Sequence, residues 1–343
     1  LTVDGVDVVN DNTSAGVAAI NAGLFPAALS GTHTLSVRDG KGVTKTVQLK
    51  SADISMPLVK NRQIVTNSKA AKVGYLQFNG FSAPAQSDLI AAVQQFNQQG
   101  VQDVVLDMRY NGGGLLALSS QLGYMLAGPN VVQGRFYNRL SFNDKYPNTD
   151  PVTGEGLSPI PFYTKQIDYT AGKLLNTDLP TLTLRRLYVL STGRTCSASE
   201  ALVNGLRGVD MEVILIGETT CGKPYGFYPT DNCGTTYYTV QFKTSNVKGY
   251  GDYSDGLIPT PTPTLNADVK GCKVTDDFSR ALGDVNEGLF ATALYHSANG
   301  SCPVSTPAAQ ASVLSAAMPD ADGLAIKTQA REMAMDAVIQ PIR

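Results

Sequence analysis

Between residues 72 and 220 the chain alternates strand-like and helix-like patterns, and this alternation limits the fold more than any other feature. "KVGYLQFNGF" reads as a strand, and "QSDLIAAVQQFNQQG" spaces its apolar residues as an amphipathic helix that stops at Gly100. "VQDVVLDMRY" is a buried strand, "NGGG" a tight turn and "LLALSSQLGYMLAG" a second helix. "RRLYVLST", "SASEALVNGLRG" and "MEVILIGETT" repeat the cycle as strand, helix and strand. Such alternation predicts an α/β fold, with a parallel sheet and helices packed on it.

The flanking segments read differently. Residues 1–58 form a small unit of their own: a strand at "LTVDGVDVV", a capped helix at "TSAGVAAINAGL" and a hairpin around "DGKG". Residues 59–72 are polar and read as a linker. Residues 128–180, rich in Asn, Asp, Pro and Tyr, form an excursion from the core that is placed to cover a site. The stretch 224–264 has an antiparallel, aromatic-rich pattern. Residues 303–343 form a C-terminal extension with a short helix at "KTQAREMAMDAV".

A chain of 343 residues has room for two domains and a sizeable core. Its 27 basic and 29 acidic residues nearly balance, without a basic run, which argues against a nucleic-acid partner. No stretch reaches the ~18–20 apolar residues of a membrane span. Five cysteines without a CxxC pair, beside two histidines, make a zinc site improbable. The cysteine count favours an extracytoplasmic protein with one or two disulfides over a set of buried thiols. "LTVDGVDVVND" is no signal peptide; it reads as a strand inside a folded unit, leaving room for residues upstream.

Chemistry concentrates in "RTCSASEALV" and "GETTCGKPYG". Ser197 stands where a strand hands over to a helix. Unpaired N–H groups and the helix dipole favour developing negative charge there, so the Ala198 N–H is a candidate oxyanion donor. Ser197 to Glu200 is also a capping-box pattern, and the two roles are compatible. A nucleophilic serine needs a base. His33 lies in the N-terminal unit and His296 follows a helical run, so neither is a good partner. Lys223 lies one strand after Ser197, and adjacent parallel strands bring their carboxyl-end loops together. A lysine takes a proton only when neutral, which an apolar setting of Cys221, Pro224 and Tyr225 would favour. The turn in "DMRYNGGG" is able to present N–H groups to an anion, though it lacks the GxGxxG and Walker patterns of nucleotide sites.

Together these segments resemble the S41 family of carboxy-terminal processing peptidases. "Ser197-Ala198-Ser199-Glu200" is similar to the family's S-A-S-E element, and residues 217–223, "GETTCGK", to its G-E-x-T-x-G-K element. Residues 106–114, "LDMRYNGGG", resemble L-D-L-R-N-N-P-G-G, and residues 256–259, "GLIP", the later G-I-x-P-D strand. The resemblance implies Ser197 as nucleophile, Lys223 as general base, and the N–H groups of Gly113 and Ala198 as the oxyanion hole. It implies a ClpP/crotonase-like protease core over 73–302, preceded by a partial PDZ-like domain, an extracytoplasmic location and no cofactor or metal. Three departures stand out. Gly112 replaces a proline, Thr260 an aspartate, and the serine-to-lysine spacing is one residue longer.

The expected function is thus a serine endopeptidase acting on proteins or peptides. A non-catalytic peptide-binding scaffold and an amidase or esterase are the alternatives. Glu200 either holds the site or only caps the helix, and Asp107 with Arg109 reads as a structural ion pair. For an exported protein the cysteine spacing suggests Cys221–Cys233 and Cys272–Cys302, with Cys196 free; Cys196–Cys221 competes because both adjoin candidate catalytic residues. The sequence sets no oligomeric state.

Overall fold

The computed structural model describes residues 1–52 and 57–304, and the helix expected at "KTQAREMAMDAV", with almost all of the C-terminal extension, lies outside them. The chain divides between Pro57 and Leu58 into two units.

In the first unit, β1 (Thr2–Val3) and β2 (Val6–Asp7) turn tightly through Asp4 and Gly5, both at positive φ. Helix α1 (Ser14–Leu24) starts at Thr13, whose hydroxyl accepts the Gly16 N–H at 3.0 Å. The hairpin of β3 (Thr32–Arg38) and β4 (Thr44–Lys50) completes an antiparallel sheet ordered β2-β1-β3-β4. Val3 and Ile20 are its buried apolar contacts.

The second unit is built on seven strands. They are β5 (Val59–Thr66), β6 (Lys72–Phe78), β7 (Asp103–Asp107), β12 (Arg186–Ser191), β13 (Glu212–Gly217), β18 (Ile258–Thr260) and β19 (Asp268–Lys273), in the order β18-β19-β13-β12-β7-β6-β5. All neighbours are parallel except β5 and β6. Residues 59–66 are therefore an edge strand and not a linker. The edge position explains the misreading: Asn61 and Arg62 face solvent, so the strand carries the polar composition of a loop.

Helices α2 (Ala85–Gln98), α3 (Leu116–Ala127) and α5 (Ala198–Gly208) cover one face of the sheet, and α6 (Gly288–Asn299) packs on the other. The central strands alternate between the two cores. Val104, Leu106, Leu187, Val189, Val213 and Leu215 face the three helices; Val105, Tyr188, Leu190, Ile214 and Ile216 face α6. Strands buried on both faces read as continuous apolar runs, as these do. Each fully buried side chain of this size contributes about 1.5–3 kcal/mol.

The excursion contains a helical turn, α4 (Pro129–Val132), and four strands, β8 (Phe136–Ser141), β9 (Ile160–Pro161), β10 (Lys165–Asp168) and β11 (Lys173–Asp178). Beyond β13 lie β14 (Tyr225–Gly226), β15 (Thr230–Asn232), β16 (Thr235–Tyr237) and β17 (Phe242–Ser245). An antiparallel sheet ordered β14-β17-β8-β9 joins excursion and later hairpins, while β10 and β11, and β15 and β16, pair separately.

Candidate active site

The neighbouring strands β7, β12 and β13 deliver their carboxyl-end loops to one place. Cys196 N–H donates to the Asn111 carbonyl at 3.0 Å, and Cys221 N–H to the Thr195 carbonyl at 3.1 Å. These two bonds bring together the glycine turn, the serine loop and the lysine loop.

Ser197 is 2% exposed and begins α5 at φ 58°, a conformation costly for any residue with a Cβ. Its Oγ has no hydrogen-bond partner among the described residues. The capping box is thus only half used: the Glu200 side chain accepts the Ser197 N–H at 2.9 Å, but the serine oxygen caps nothing.

Glu200 is fully buried and does more than cap the helix. Its Oε1 accepts the Thr220 hydroxyl at 2.5 Å and the Gly222 N–H at 2.8 Å. Its Oε2 accepts the N–H of Ser197 at 2.9 Å and of Lys223 at 2.8 Å. One carboxylate oxygen therefore fixes the backbones of both candidate dyad members. Burial raises the Glu200 carboxyl above the usual glutamate range, against the opposing pull of Thr220 and the three N–H groups.

The side chain of Lys223 is half-buried, with Nζ 5.0 Å from the centroid of the Phe227 ring. The apolar setting differs from the sequence expectation, since Cys221 and Tyr225 are exposed and the aromatic contact is Phe227. Gly222, at φ 83°, is required here: a Cβ would stand 2.1 Å from the Ser254 carbonyl oxygen.

The glycine turn meets the serine directly. A Cβ on Gly113 would lie 2.8 Å from both Ser197 Cβ and Ala198 N. The Ala198 N–H has no acceptor among the described residues, but the Gly113 N–H donates to Asn111 Oδ1 at 3.0 Å. Gly113 is thus in contact with Ser197, the candidate nucleophile, while its N–H is engaged by a side chain. The asparagine amide takes the N–H that an open oxyanion donor would need.

Asn111 is the residue the sequence reading passed over. Its side chain also donates to the Phe78 carbonyl at 2.9 Å, and its own carbonyl accepts Ser199 Oγ at 3.0 Å as well as Cys196 N–H. Thr220 was missed too; beyond Glu200, its hydroxyl accepts the Leu257 N–H at 2.7 Å, tying "GLIP" to the site. The signal for Asn111 was its place at the head of a glycine run, where an Asx side chain stabilises the turn.

Asp107 and Arg109 lie at the end of β7 as an ion pair of 2.7 Å, within a larger network. Wholly buried Arg109 also meets Asp276 at 3.0 Å and Glu287 at 2.9 Å, and the Tyr75 hydroxyl donates to Asp107 at 2.6 Å. Burial alone would lower the guanidinium, but Asp107 and Glu287 hold it raised and charged. Glu287 caps α6 by accepting the N–H groups of Leu289 and Phe290, so the network anchors the strand end to that helix.

The histidines are engaged elsewhere: His33 pairs with Asp4 at 2.7 Å, and buried His296 meets the Tyr188 hydroxyl at 3.3 Å beneath α6. Among the described residues no cluster of His, Cys, Asp and Glu is arranged to hold a metal. No helix among them is long and apolar enough to cross a membrane.

Of the two expected disulfides, Cys272–Cys302 forms, and Cys221–Cys233 gives way to its competitor, Cys196–Cys221. Cys196 joins Cys221 with Cα atoms 5.3 Å apart, and Cys272 joins Cys302 at 5.6 Å, leaving Cys233 free and exposed. The Cys221–Cys233 pair fails because β14 turns away after Lys223 and carries Cys233 to the tip of the β15–β16 hairpin. Cys196 and Cys221 meet because parallel neighbours β12 and β13 end side by side.

A cavity of about 300 Å³ lies against the start of α3. Leu116 and Ala117, in the first turn of α3, form one wall, only a few residues beyond Gly113. Leu140, residues 155–161 of the excursion and Tyr228, next to Phe227, also line it, with Asp150 hydrogen-bonded to the Tyr228 hydroxyl.

Comparison with known proteins gives a consistent result. The model of peptidase family S41 matches residues 72–232, a span holding Ser197, Glu200 and Lys223. A carboxyl-terminal-processing protease of Picosynechococcus sp. is 28% identical over 224 residues, 65% of this chain and 45% of that protein. Carboxyl-terminal-processing peptidase 1, chloroplastic, of Arabidopsis thaliana is 28% identical over 190 residues, 55% of this chain and 33% of that protein. The matches thus span less than half the length of these relatives. A solved structure assigned as an S41 protease, from Bacteroides fragilis, shares the fold at a TM-score of 0.61 and 24% identity, covering 80% of this chain and 68% of that one.

Proposed function

The chain belongs to peptidase family S41, and from that premise we propose that it is a serine endopeptidase working through a Ser197–Lys223 dyad. The observation that carries this reading is the single Glu200 oxygen accepting the N–H groups of both Ser197 and Lys223. Neutral Lys223 takes the proton of Ser197 Oγ as that oxygen attacks the peptide carbonyl, and returns it to the leaving amine. The Ala198 N–H, at the positive end of α5, receives the oxyanion. Gly113 contributes its N–H once substrate displaces the Asn111 side chain. Water then hydrolyses the acyl-enzyme by the same proton path. The substrate is a protein or peptide, and two disulfides fit an extracytoplasmic location.

Unfolded casein incubated with the wild-type chain should be cleaved, and a fluorophosphonate probe should label Ser197. Small esters hydrolysed without any casein cleavage would mark an acyl hydrolase of another kind. Binding without either reaction would mark a scaffold.

The cavity beside α3 receives a substrate side chain in this reading. Ala117→Phe, at a half-buried wall position, should raise KM for protein substrates about tenfold, since a lost pocket contact is worth ~1–3 kcal/mol, while turnover of a minimal ester is retained. An unchanged KM would show that substrate does not enter there.

Glu200→Gln should lower kcat about 10²-fold, because an amide NH₂ accepts no hydrogen bond and leaves either the Ser197 and Lys223 N–H groups or the Gly222 N–H unpaired. Wild-type activity should fall as pH drops through the raised Glu200 value, since a protonated carboxyl does not accept all four donors. Stability runs the other way. A raised folded pKa makes the stabilising contribution full below the unfolded value and lost as pH rises through the folded one. The wild type should therefore gain Tm relative to Glu200→Gln on acidification, which a thermal melt at stepped pH checks.

A further inference from the structure

The Cys196–Cys221 bridge joins the residue immediately before the proposed nucleophile to the loop of the proposed base, two residues before Lys223. We propose that this bridge is a positioning element of the active site, so that peptide cleavage depends on its being formed. The inference rests on the Ser197–Lys223 reading.

The geometry explains the dependence. Ser197 holds φ at 58°, a backbone state that persists only where its surroundings over-determine it. On its carboxyl side the α5 helix supplies that constraint. On its amino side stand the bridge at Cys196, the bond from Cys196 N–H to Asn111, the Ser199 N–H donating to the Cys196 carbonyl, and Thr195 bonded to Met108 and Thr192. The lysine loop is held to the serine loop by Glu200, by Cys221 N–H to Thr195, and by the same bridge. All of these hydrogen bonds are to backbone groups or to one carboxylate, and the bridge is the covalent member of the set. Cys221 is exposed, so a reductant reaches it without unfolding the chain. The second bridge, Cys272–Cys302, lies on the α6 face of the sheet and touches neither loop.

Opening needs a dithiol reductant. One thiolate attacks a bridge sulfur, the S–S bond breaks, and the reductant closes to its own cyclic disulfide. Two electrons and two protons pass to the bridge, leaving Cys196 and Cys221 as thiols.

The test uses the full chain with both bridges formed, titrated with dithiothreitol. At each step, differential alkylation maps which bridge is open, circular dichroism reports the fold, and kcat, KM and fluorophosphonate labelling report the site. The expected result is a fall in kcat of about tenfold or more that tracks opening of Cys196–Cys221, with KM and ellipticity little changed and activity restored on reoxidation. A Cys196→Ser/Cys221→Ser double variant should show the same low kcat and ignore reductant. Unchanged kcat with the bridge mapped as open overturns the proposal. So does a loss that tracks Cys272–Cys302 or the dichroism instead. An oxidised chain that neither cleaves nor labels overturns the dyad reading itself.

Discussion

Ser197→Ala should abolish proteolysis while leaving the fold intact. Removing a catalytic serine of this kind lowers kcat by on the order of 10³-fold or more. A helix-capping serine would also cost about 1 kcal/mol of stability when replaced. Among the described residues the Oγ makes no hydrogen bond, so the alanine variant should melt within a degree or two of the wild type. The backbone gives a sharper check. At φ 58° a Cβ is strained and glycine is not, so Ser197→Gly should be equally inactive yet raise Tm, by an effect of about 1 kcal/mol. Casein turnover and thermal melts of the three proteins decide the matter. A serine held only for capping predicts the opposite ranking, with activity retained and stability lost.

This reversal shows what the sequence could and could not reveal. The strand–helix alternation was readable because β7, β12 and β13 are buried on both faces and their helices carry apolar stripes. Placing Ser197 and Lys223 at adjacent strand ends followed from the parallel order. The edge strand β5 was unreadable because its solvent-facing residues follow the composition of a loop. The role of Glu200 was open because a capping box and a carboxylate that ties two loops share one spacing; only the loop beyond β13 distinguishes them. The Cys221–Cys233 pairing failed for a related reason, while Cys272–Cys302 was read correctly. Separation along the chain favoured Cys221 with Cys233, twelve residues on, whereas strand adjacency brought Cys196 to Cys221. Asn111 was hidden because its hydrogen bonds run to Phe78 and the serine loop, segments remote in sequence.

The electrostatics of the site also divide cleanly. The buried Glu200 carboxylate, which holds the backbones of Ser197 and Lys223, has its acceptor capacity filled by Thr220 and three backbone N–H groups. The buried charges around Arg109 are paired among themselves at the end of β7. In the proposed mechanism the proton of Ser197 therefore passes to Lys223 rather than to Glu200.

Lys223→Arg should be inactive, with kcat lower by about 10³-fold or more, because a guanidinium stays protonated and has no lone pair to offer. The fold should survive, since arginine keeps the charge and stacks as well as lysine on the Phe227 ring. Lys223→Ala should be equally inactive, and it permits a positive test. Its side chain is half-buried, so truncation opens a space that a small alkylamine can enter. Added methylamine should restore part of the casein cleavage, and the restored rate should rise with pH as the free amine loses its proton. A lysine that only packs the turn predicts an active Lys223→Arg enzyme and no response to amine. Rescue that is independent of pH would likewise assign the amine a structural role and remove Lys223 from the proton path.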